Sequence, residues 1–255
     1  MSCDDLRLGG TLSSSGIAGG TSINATNFAV TDWSSILGTA GISGQIQVVN
    51  GRPGGFISGD LLGRERFLNL NIQMLGENTV LETHTDTFLG LLSDPSGQYL
   101  EVDLKDGTSR FLYIYNLDAA PISQPRKFRR ISAPLISGFP YWKQGGQEST
   151  NAVSGADTIT NGGNRGVYDA VLVFSGDGTF THSGLGWVIE VTGSAAPVTV
   201  DLGARTVIES GANALNRIRR TPATGAGGVW GWFTPGSNSV TSSVGVTVTW
   251  RDSNA

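Results

Sequence analysis

The sequence has little of what enzymes and metal proteins concentrate: two histidines, one cysteine and 15% charged residues in a chain of 255. The single cysteine, Cys3, excludes an internal disulfide and a metal site built from several thiolates. His84 and His182 are far apart, and neither has a second histidine or cysteine at the spacing of a zinc site. The sequence therefore predicts no metal, no cofactor and no catalytic residues.

Long apolar runs are missing as well. No segment approaches the roughly 20 apolar residues that span a bilayer. The N-terminus lacks the basic start and apolar stretch of a signal peptide. A formal net charge of −4 is unlike the positive excess of general nucleic-acid binders. We therefore expect a soluble chain, made in a cytoplasm, with no membrane insertion and no specific nucleic acid.

Glycine, by contrast, is abundant, with 37 residues among many threonines, serines and valines. This composition predicts short strands joined by turns, and hence a mainly β protein. The stretch 144–164 is rich in glycine and asparagine and has almost no large apolar residue. It predicts a linker and domain entry between a first domain, residues 1–143, and a second, residues 165–255.

The first domain combines alternating strands with one helix. Apolar and polar residues alternate along 68–74, which predicts a strand with one buried face. A helix is predicted from Thr79, with Pro95 and Gly97 ending it. Its apolar stripe is expected to consist of Leu81, Phe88, Leu89 and Leu92. The glycine-rich stretch from Asn50 to Arg66 predicts a long flexible hairpin or loop.

The second domain shows only strand patterns between Tyr168 and Trp250, each bounded by turn residues. Short strands at this spacing are typical of a β-sandwich or jelly roll. Trp230 and Trp232 alternate on a predicted strand. They fit either a face that stacks on a sugar or the core of the sandwich, since amphipathic aromatic rings suit both. We expect at least one of them to be core.

Two charged groups have alternative interpretations. Glu101 and Asp103 lie two residues apart on one strand face, as the paired carboxylates of a glycosidase would. We favour the interpretation that they are solvated carboxylates on an outer sheet face. The basic run Arg126 to Arg130 places Arg126, Phe128 and Arg130 on one face of a strand and the other two residues on the opposite face. It suits nucleic acid or, as we favour, a protein interface.

The order of the blocks carries a resemblance to a known family. A strand–helix–hairpin block ends in Phe139-Pro-Tyr-Trp142, and the later strands contain Thr199 to Val207 and Phe233 to Val240. Over roughly residues 40–250 the chain resembles the distal tail proteins of long-tailed, non-contractile bacteriophages. It is also similar to minor tail proteins of phages that infect actinobacteria.

The resemblance implies a tail-tube-like β-barrel, or belt domain, followed by a galectin-like β-sandwich. It implies a structural virion protein that forms a hexameric ring, connects the tail tube to the tail-tip hub or baseplate, and lets DNA pass. Its expected partners are further copies of itself, the tail tube protein, the tail-tip hub protein and the tape measure protein, in a tail assembled in the host cytoplasm. The family carries over no catalytic residue and no cofactor.

The contacts of such a ring are expected to involve basic and aromatic side chains. The interface candidates are Arg52, Phe56, Arg64, Arg66, Arg126, Arg129 and Arg130. Two other functions stay open: a carbohydrate-binding, lectin-like module on an oligomerising domain, with Trp230 and Trp232 stacking on the glycan, and a glycan-active enzyme resting on Glu101 and Asp103.

Overall fold

The structure is a computed structural model. It describes residues 3–23, 28–32, 36, 45–48, 55–58, 66–75, 78–117, 120–123, 128–138, 141–223 and 230–254. The chain divides into two compact units, Met1–Gln147 (unit 1) and Glu148–Asn254 (unit 2). Each is mainly β, as the composition predicted.

Unit 1 combines one described α-helix with short and long strands. Its elements are β1 (Cys3–Leu8), β2 (Thr11–Ser13), β3 (Gly16–Ala18), β4 (Thr21–Ser22), β5 (Phe28–Val30), β6 (Gln45–Val48), β7 (Gly55–Ser58), β8 (Arg66–Leu75), α1 (Asn78–Leu92), β9 (Gln98–Leu104), β10 (Ser109–Asn116), β11 (Ala120–Ser123), β12 (Phe128–Ser137) and β13 (Trp142–Gln144). The main sheet is antiparallel and runs β4–β1–β9–β10–β12–β8–β5, with β11 beside β12.

The core of unit 1 follows the predicted alternation of β8. Leu68, Leu70, Ile72 and Met74 are all buried, while the residues between them lie on the outer face of the sheet. Helix α1 packs on this inner face, where Thr85 Oγ1 lies 3.8 Å from Met74 Sδ. The predicted helix is confirmed, although its buried stripe includes Thr85 and leaves Leu89 only half-buried. A spacing of four and three residues along the helix favours Thr85 over Leu89.

The predicted hairpin or loop Asn50–Arg66 is described in part. Strands β6 and β7 pair antiparallel, with Gln45 opposite Ser58 and Val48 opposite Gly55. Residues 49–54, between these strands, and residues 59–65, between β7 and β8, lie outside the described residues.

Unit 2 is built from strands alone, apart from one turn of 3₁₀ helix at Leu215–Arg217. Its strands are β14 (Ser149–Asn161), β15 (Val171–Phe174), β16 (Gly178–His182), β17 (Val188–Val191), β18 (Val198–Asp201), β19 (Thr206–Glu209), β20 (Ala212–Asn213), β21 (Ile218–Thr221), β22 (Gly236–Trp250) and β23 (Ser253–Asn254). The sheet order is β20–β19–β18–β15–β22–β16–β17–β21, and β14 pairs with β22.

The long strand β22 explains how this sheet curls around its core. One end of β22 pairs with β16, with His182 opposite Val240, and the other end pairs with β15, with Leu172 opposite Val248. Side chains from both halves meet in one cluster that includes Phe174, Phe180, Trp187 and Phe233, each fully buried. Unit 2 therefore has a hydrophobic core made of its own residues.

The segment 144–164, predicted to be a linker and domain entry, is largely a β-strand in the structure. Within 144–164, Ser149–Asn161 form a strand of 13 residues that pairs along the length of β22. Only Val153, Ile159 and Asn161 of β14 are buried, and the remaining side chains are half-buried or exposed. A strand that buries so few residues needs little apolar content, which is why its composition resembled a linker.

Unit 2 is expected to fold alone when produced as Glu148–Asn254. Its core cluster contains no residue of unit 1, and a compact unit with its own core is the usual basis of independent folding. Circular dichroism and denaturant titration should show a β-rich fragment with one cooperative transition. A fragment with no cooperative unfolding would contradict this expectation.

Candidate interaction surfaces

Exposed apolar side chains gather on the outer face of the unit 1 sheet. Of the seven large apolar residues that are exposed in the described part of the chain, four lie here. They are Phe67 at 67% exposure, Tyr113 at 36%, Tyr115 at 42% and Leu117 at 55%. Together with Tyr99 and Ile136 we call this surface the aromatic face.

Strand register makes the aromatic face continuous. Tyr115 pairs with Ile136 across β10 and β12, and Ile136 pairs with Phe67 across β12 and β8. Directly opposed residues on one sheet face lie about 5 Å apart. The three side chains therefore form a row across three neighbouring strands.

Tyrosines extend this row along β10 and across to Tyr99 of β9. The ring centroids of Tyr99 and Tyr113 are 4.9 Å apart and those of Tyr113 and Tyr115 are 5.5 Å apart, both edge to face. The Tyr113 hydroxyl donates a hydrogen bond to the Ser96 carbonyl at 2.6 Å. Gly97, with φ of +83°, lies against these rings. A side chain at this position would clash, because its Cβ would lie 2.8 Å from Cε1 of Tyr115. The aromatic rings are thus held in place before any partner binds.

The aromatic face has the character of a protein interface. Contiguous apolar patches on a folded surface mark interaction sites, and tyrosine and phenylalanine are enriched at interface centres. Sequence reasoning missed this surface because it looked for basic residues. The alternation of Phe111, Tyr113 and Tyr115 with Leu112 and Ile114 was the available signal, since it puts three aromatic rings on one face of the strand and aliphatic side chains on the other, which leaves both faces apolar.

The predicted basic candidates separate in the structure. Arg129 points towards the helix and donates to Thr85 Oγ1 at 2.9 Å. Arg130 is exposed on the outer face, with its guanidinium 5.7 Å from the Phe128 ring. Phe56 lies in β7. Arg52, Arg64 and Arg126 lie outside the described residues.

Arg66 departs from the expected surface position. It continues the inward-facing positions of β8, is 1% exposed, and places its guanidinium 5.4 Å from the Trp142 ring. Desolvation lowers the pKa of Arg66 to about 10. Its side chain is therefore part of the interior of unit 1 and is not presented as an interface contact.

The carboxylates of Glu101 and Asp103 share one arginine. Arg7 on the neighbouring strand β1 lies 2.5 Å from Asp103 Oδ2 and 3.5 Å from Glu101 Oε2. Glu101 is 4% exposed, so the expectation of a solvated carboxylate is wrong for this residue. Desolvation raises the pKa of Glu101, and the nearby Arg7 charge opposes that rise. The arrangement is an ion-paired cluster that crosslinks β1 and β9.

Replacing Glu101 with glutamine is expected to change how stability depends on pH. The folded-state pKa of Glu101 lies above its usual value of 4.5, so the native protein holds this proton more tightly than the unfolded chain does. The resulting stability is present at low pH and is lost as pH rises through the folded-state pKa. From pH 4.5 upward, the wild type should therefore lose stability relative to Glu101→Gln.

The change should amount to less than about 1 kcal/mol, because Arg7 keeps Asp103 as a partner and is partly solvated. Denaturant unfolding of both proteins at a series of pH values measures it. Glu82→Gln, at an exposed helix position, is the matched control. A difference between wild type and variant that does not vary with pH, or that favours the wild type as pH rises, would contradict the assignment.

The tryptophans of unit 2 fall into two environments. Trp230 is 7% exposed and belongs to the core, with the Arg220 guanidinium 4.5 Å from its ring. Trp232 is half-buried and stacks on Tyr168, with centroids 6.1 Å apart and planes at 26°. Burial leaves Trp230 no open face for a sugar. Of the two glycan-stacking candidates, Trp232 alone keeps exposed ring surface.

Within the described part of the chain, no group of three or more His, Cys, Asp and Glu side chains is placed to hold a metal ion. Among the helices that the structure describes, none is long and apolar enough to cross a membrane.

Comparisons with known proteins agree with this architecture. No family model matches the chain, and no curated protein matches it. Among solved structures, the SPP1 Dit (gp 19.1) protein, described as a paradigm of the hub adsorption apparatus in phages that infect Gram-positive bacteria, superposes with a TM-score of 0.70 at 15% identity. The match covers 97% of this chain and 98% of that one.

A second match is to the phage P2 baseplate in its activated conformation with calcium, with a TM-score of 0.50 at 7% identity and 97% of each chain covered. At such identities the likeness establishes the fold. The chain therefore has the fold of a phage tail-hub protein along nearly its whole length, and the fold that the sequence resemblance predicted is confirmed.

Proposed function

We propose that this chain is a structural protein of a phage tail tip, and that unit 1 forms a closed ring between the tail tube and the hub or baseplate. The ring is a hexamer whose opening lets DNA pass. The observation that carries the proposal is the match of fold over 97% of the chain to a hub protein of a phage adsorption apparatus. Fold alone does not fix function, so the surface of unit 1 supplies the second support.

The aromatic face supplies the contact that a ring needs. In a ring, each copy joins the next through two different surfaces. The aromatic face is one of them, with Phe67 and Tyr115 at its centre and Arg130 at its polar end on the same side of β12. An apolar centre with an arginine at the rim is typical of protein interfaces. The segment from Asn50 to Arg66, most of which lies outside the described residues, is the proposed contact with the neighbouring ring.

The protein acts without catalysis. Its two adjacent carboxylates, Glu101 and Asp103, are held by Arg7 rather than aimed at an open cleft. A general acid and base need access to substrate, and Glu101 is buried beneath its neighbours.

Sedimentation velocity and negative-stain imaging of the purified chain test the proposal. We expect a particle of about six times the 26.7 kDa of one chain, with a central hole, at micromolar concentration or in the presence of the tube or hub protein. A chain that stays monomeric alone and with both partners would refute the ring.

A further inference from the structure

Helix α1 gives unit 1 a second surface on the side opposite the aromatic face. The helix packs on the inner face of the sheet through Thr85, and Arg129 of β12 reaches it from that side. The next residue, Arg130, is exposed on the outer face, because neighbouring side chains of a strand point to opposite faces of the sheet. The exposed side of α1 and the aromatic face therefore lie on opposite sides of unit 1.

The exposed side of α1 carries an apolar residue. Val80 is 43% exposed, and it is the one exposed large apolar residue that the described part of unit 1 has outside the aromatic face. Thr83 and Thr87 follow it at spacings of three and four residues and are exposed as well. Residues at these spacings share one side of a helix. We call this stripe, together with the acidic residues Glu82 and Asp86 beside it, the helix face.

The helix face carries negative charge. Glu82 and Asp86 are exposed and four residues apart, so their carboxylates lie on successive turns of the helix. Helix α1 contains no lysine or arginine, and neither carboxylate has an ion-pair partner within the described part of the chain. Like charges at this spacing repel each other, and a cation supplied by another subunit would relieve that repulsion.

The aromatic face carries the opposite charge. Arg130 is the single charged side chain among the outward-facing positions that the structure describes on β8, β10 and β12. It forms no ion pair with any described residue. Two aromatic faces brought together would combine positive charge only, and two helix faces would combine negative charge only. An aromatic face placed on a helix face joins opposite charges, which is the arrangement that protein interfaces favour.

We propose that the helix face of one copy docks on the aromatic face of the next, and that this pair of surfaces is the repeating contact of the ring. The inference rests on the proposed function and supplies the second surface that a head-to-tail ring requires. Val80 packs against the aromatic rings, and Arg130 pairs with the carboxylates of Glu82 and Asp86. Because the two surfaces differ and lie on opposite sides of unit 1, each copy can contact one neighbour on either side.

Mixing two variants of the full chain, each with one surface disabled, tests this contact. Phe67→Asp keeps an intact helix face and Val80→Asp keeps an intact aromatic face, because each change buries a carboxylate in only one of the two surfaces. Each variant alone should sediment as a monomer at the concentration where the wild type forms rings. The 1:1 mixture has one working contact for each pair of subunits, so it should form dimers and no larger particle.

Both variants should keep the melting temperature of the wild type. Val80 is exposed in the first turn of α1, where the helix dipole favours an aspartate, and Phe67 is exposed on the sheet. A monomer produced by either change would then report a lost contact in a folded subunit.

Exchanging the charges tests the polar part of the contact. Arg130→Glu, and separately the double change Glu82→Lys with Asp86→Lys, should raise the concentration needed for half-assembly about tenfold or more, because each places like charges across the contact. The protein with all three changes should assemble near the wild-type concentration. Lys105→Glu reverses a charge in the exposed turn between β9 and β10, and this matched control should assemble normally.

The contact is wrong if the mixture of Phe67→Asp and Val80→Asp stays monomeric, or if the triple charge variant assembles no better than Arg130→Glu. Rings that persist in Val80→Asp would remove the helix face and leave the proposed ring standing. Rings that persist in Phe67→Asp, with binding of the tube or hub protein lost, would assign the aromatic face to that protein instead. A wild type that stays monomeric alone and with both partners would remove the ring and the contact together, so the two failures are distinguishable.

Discussion

Changing Phe67 to aspartate is expected to dissociate the proposed ring into single subunits while unit 1 stays folded. Phe67 is 67% exposed, so the folded subunit loses few contacts when its ring is removed. At the centre of an interface the same change removes an apolar anchor and buries a carboxylate without a partner. Central aromatic residues commonly contribute 2 kcal/mol or more, which corresponds to at least about 30-fold in affinity for each contact.

Each contact around the ring loses the same binding free energy, so the closed assembly is destabilised more than a single pair of subunits would be. Sedimentation velocity measures it, and the melting temperature of unit 1 shows that the fold survives. Leu215→Asp, which changes a 50% exposed leucine of unit 2, is the matched control and should leave the ring intact. A Phe67→Asp protein that still forms rings at the wild-type concentration would remove the aromatic face from the interface.

Replacing Trp187 with alanine is expected to destabilise unit 2 by about 3–5 kcal/mol. Trp187 is fully buried, and its ring lies 5.6 Å from that of Phe180 and 5.7 Å from that of Phe233. Its indole N–H donates to the Trp232 carbonyl at 3.1 Å. Alanine leaves a cavity among these rings and a carbonyl that has lost its hydrogen-bond donor.

For a unit of this size the loss should lower the melting temperature by at least about 12 °C. Calorimetry of the full chain should show the shift in the unit 2 transition and little change in that of unit 1. Trp232→Ala is the comparison, because Trp232 is half-buried and its removal should cost roughly 1 kcal/mol, the scale of one aromatic contact. Equal shifts for the two variants would contradict the assignment of Trp187 to the core.

Periodicity predicted the elements whose burial repeats regularly. The alternation along β8 and the apolar stripe of α1 required no knowledge of distant residues, because each element carries its own buried face. The same alternation places Arg66 on the inner face two residues before Leu68. Its charge suggested a surface position instead, although a long side chain beside Trp142 can be buried.

The aromatic face depends on contacts between distant parts of the chain. Phe67 and Tyr115 become neighbours only because β12 lies between their strands, and sequence does not reveal strand order. Composition predicted a linker where the structure has β14, because a strand that buries few residues is polar along most of its length.

The proposed role is tested most directly by cryo-electron microscopy of intact tails of the phage that encodes this chain. The account predicts a closed ring of this protein at the distal end, between the tube and the hub, with the aromatic face of each unit 1 buried against the next copy. A reconstruction that shows the chain as a single spike, or with the aromatic face exposed to solvent in every copy, would contradict it.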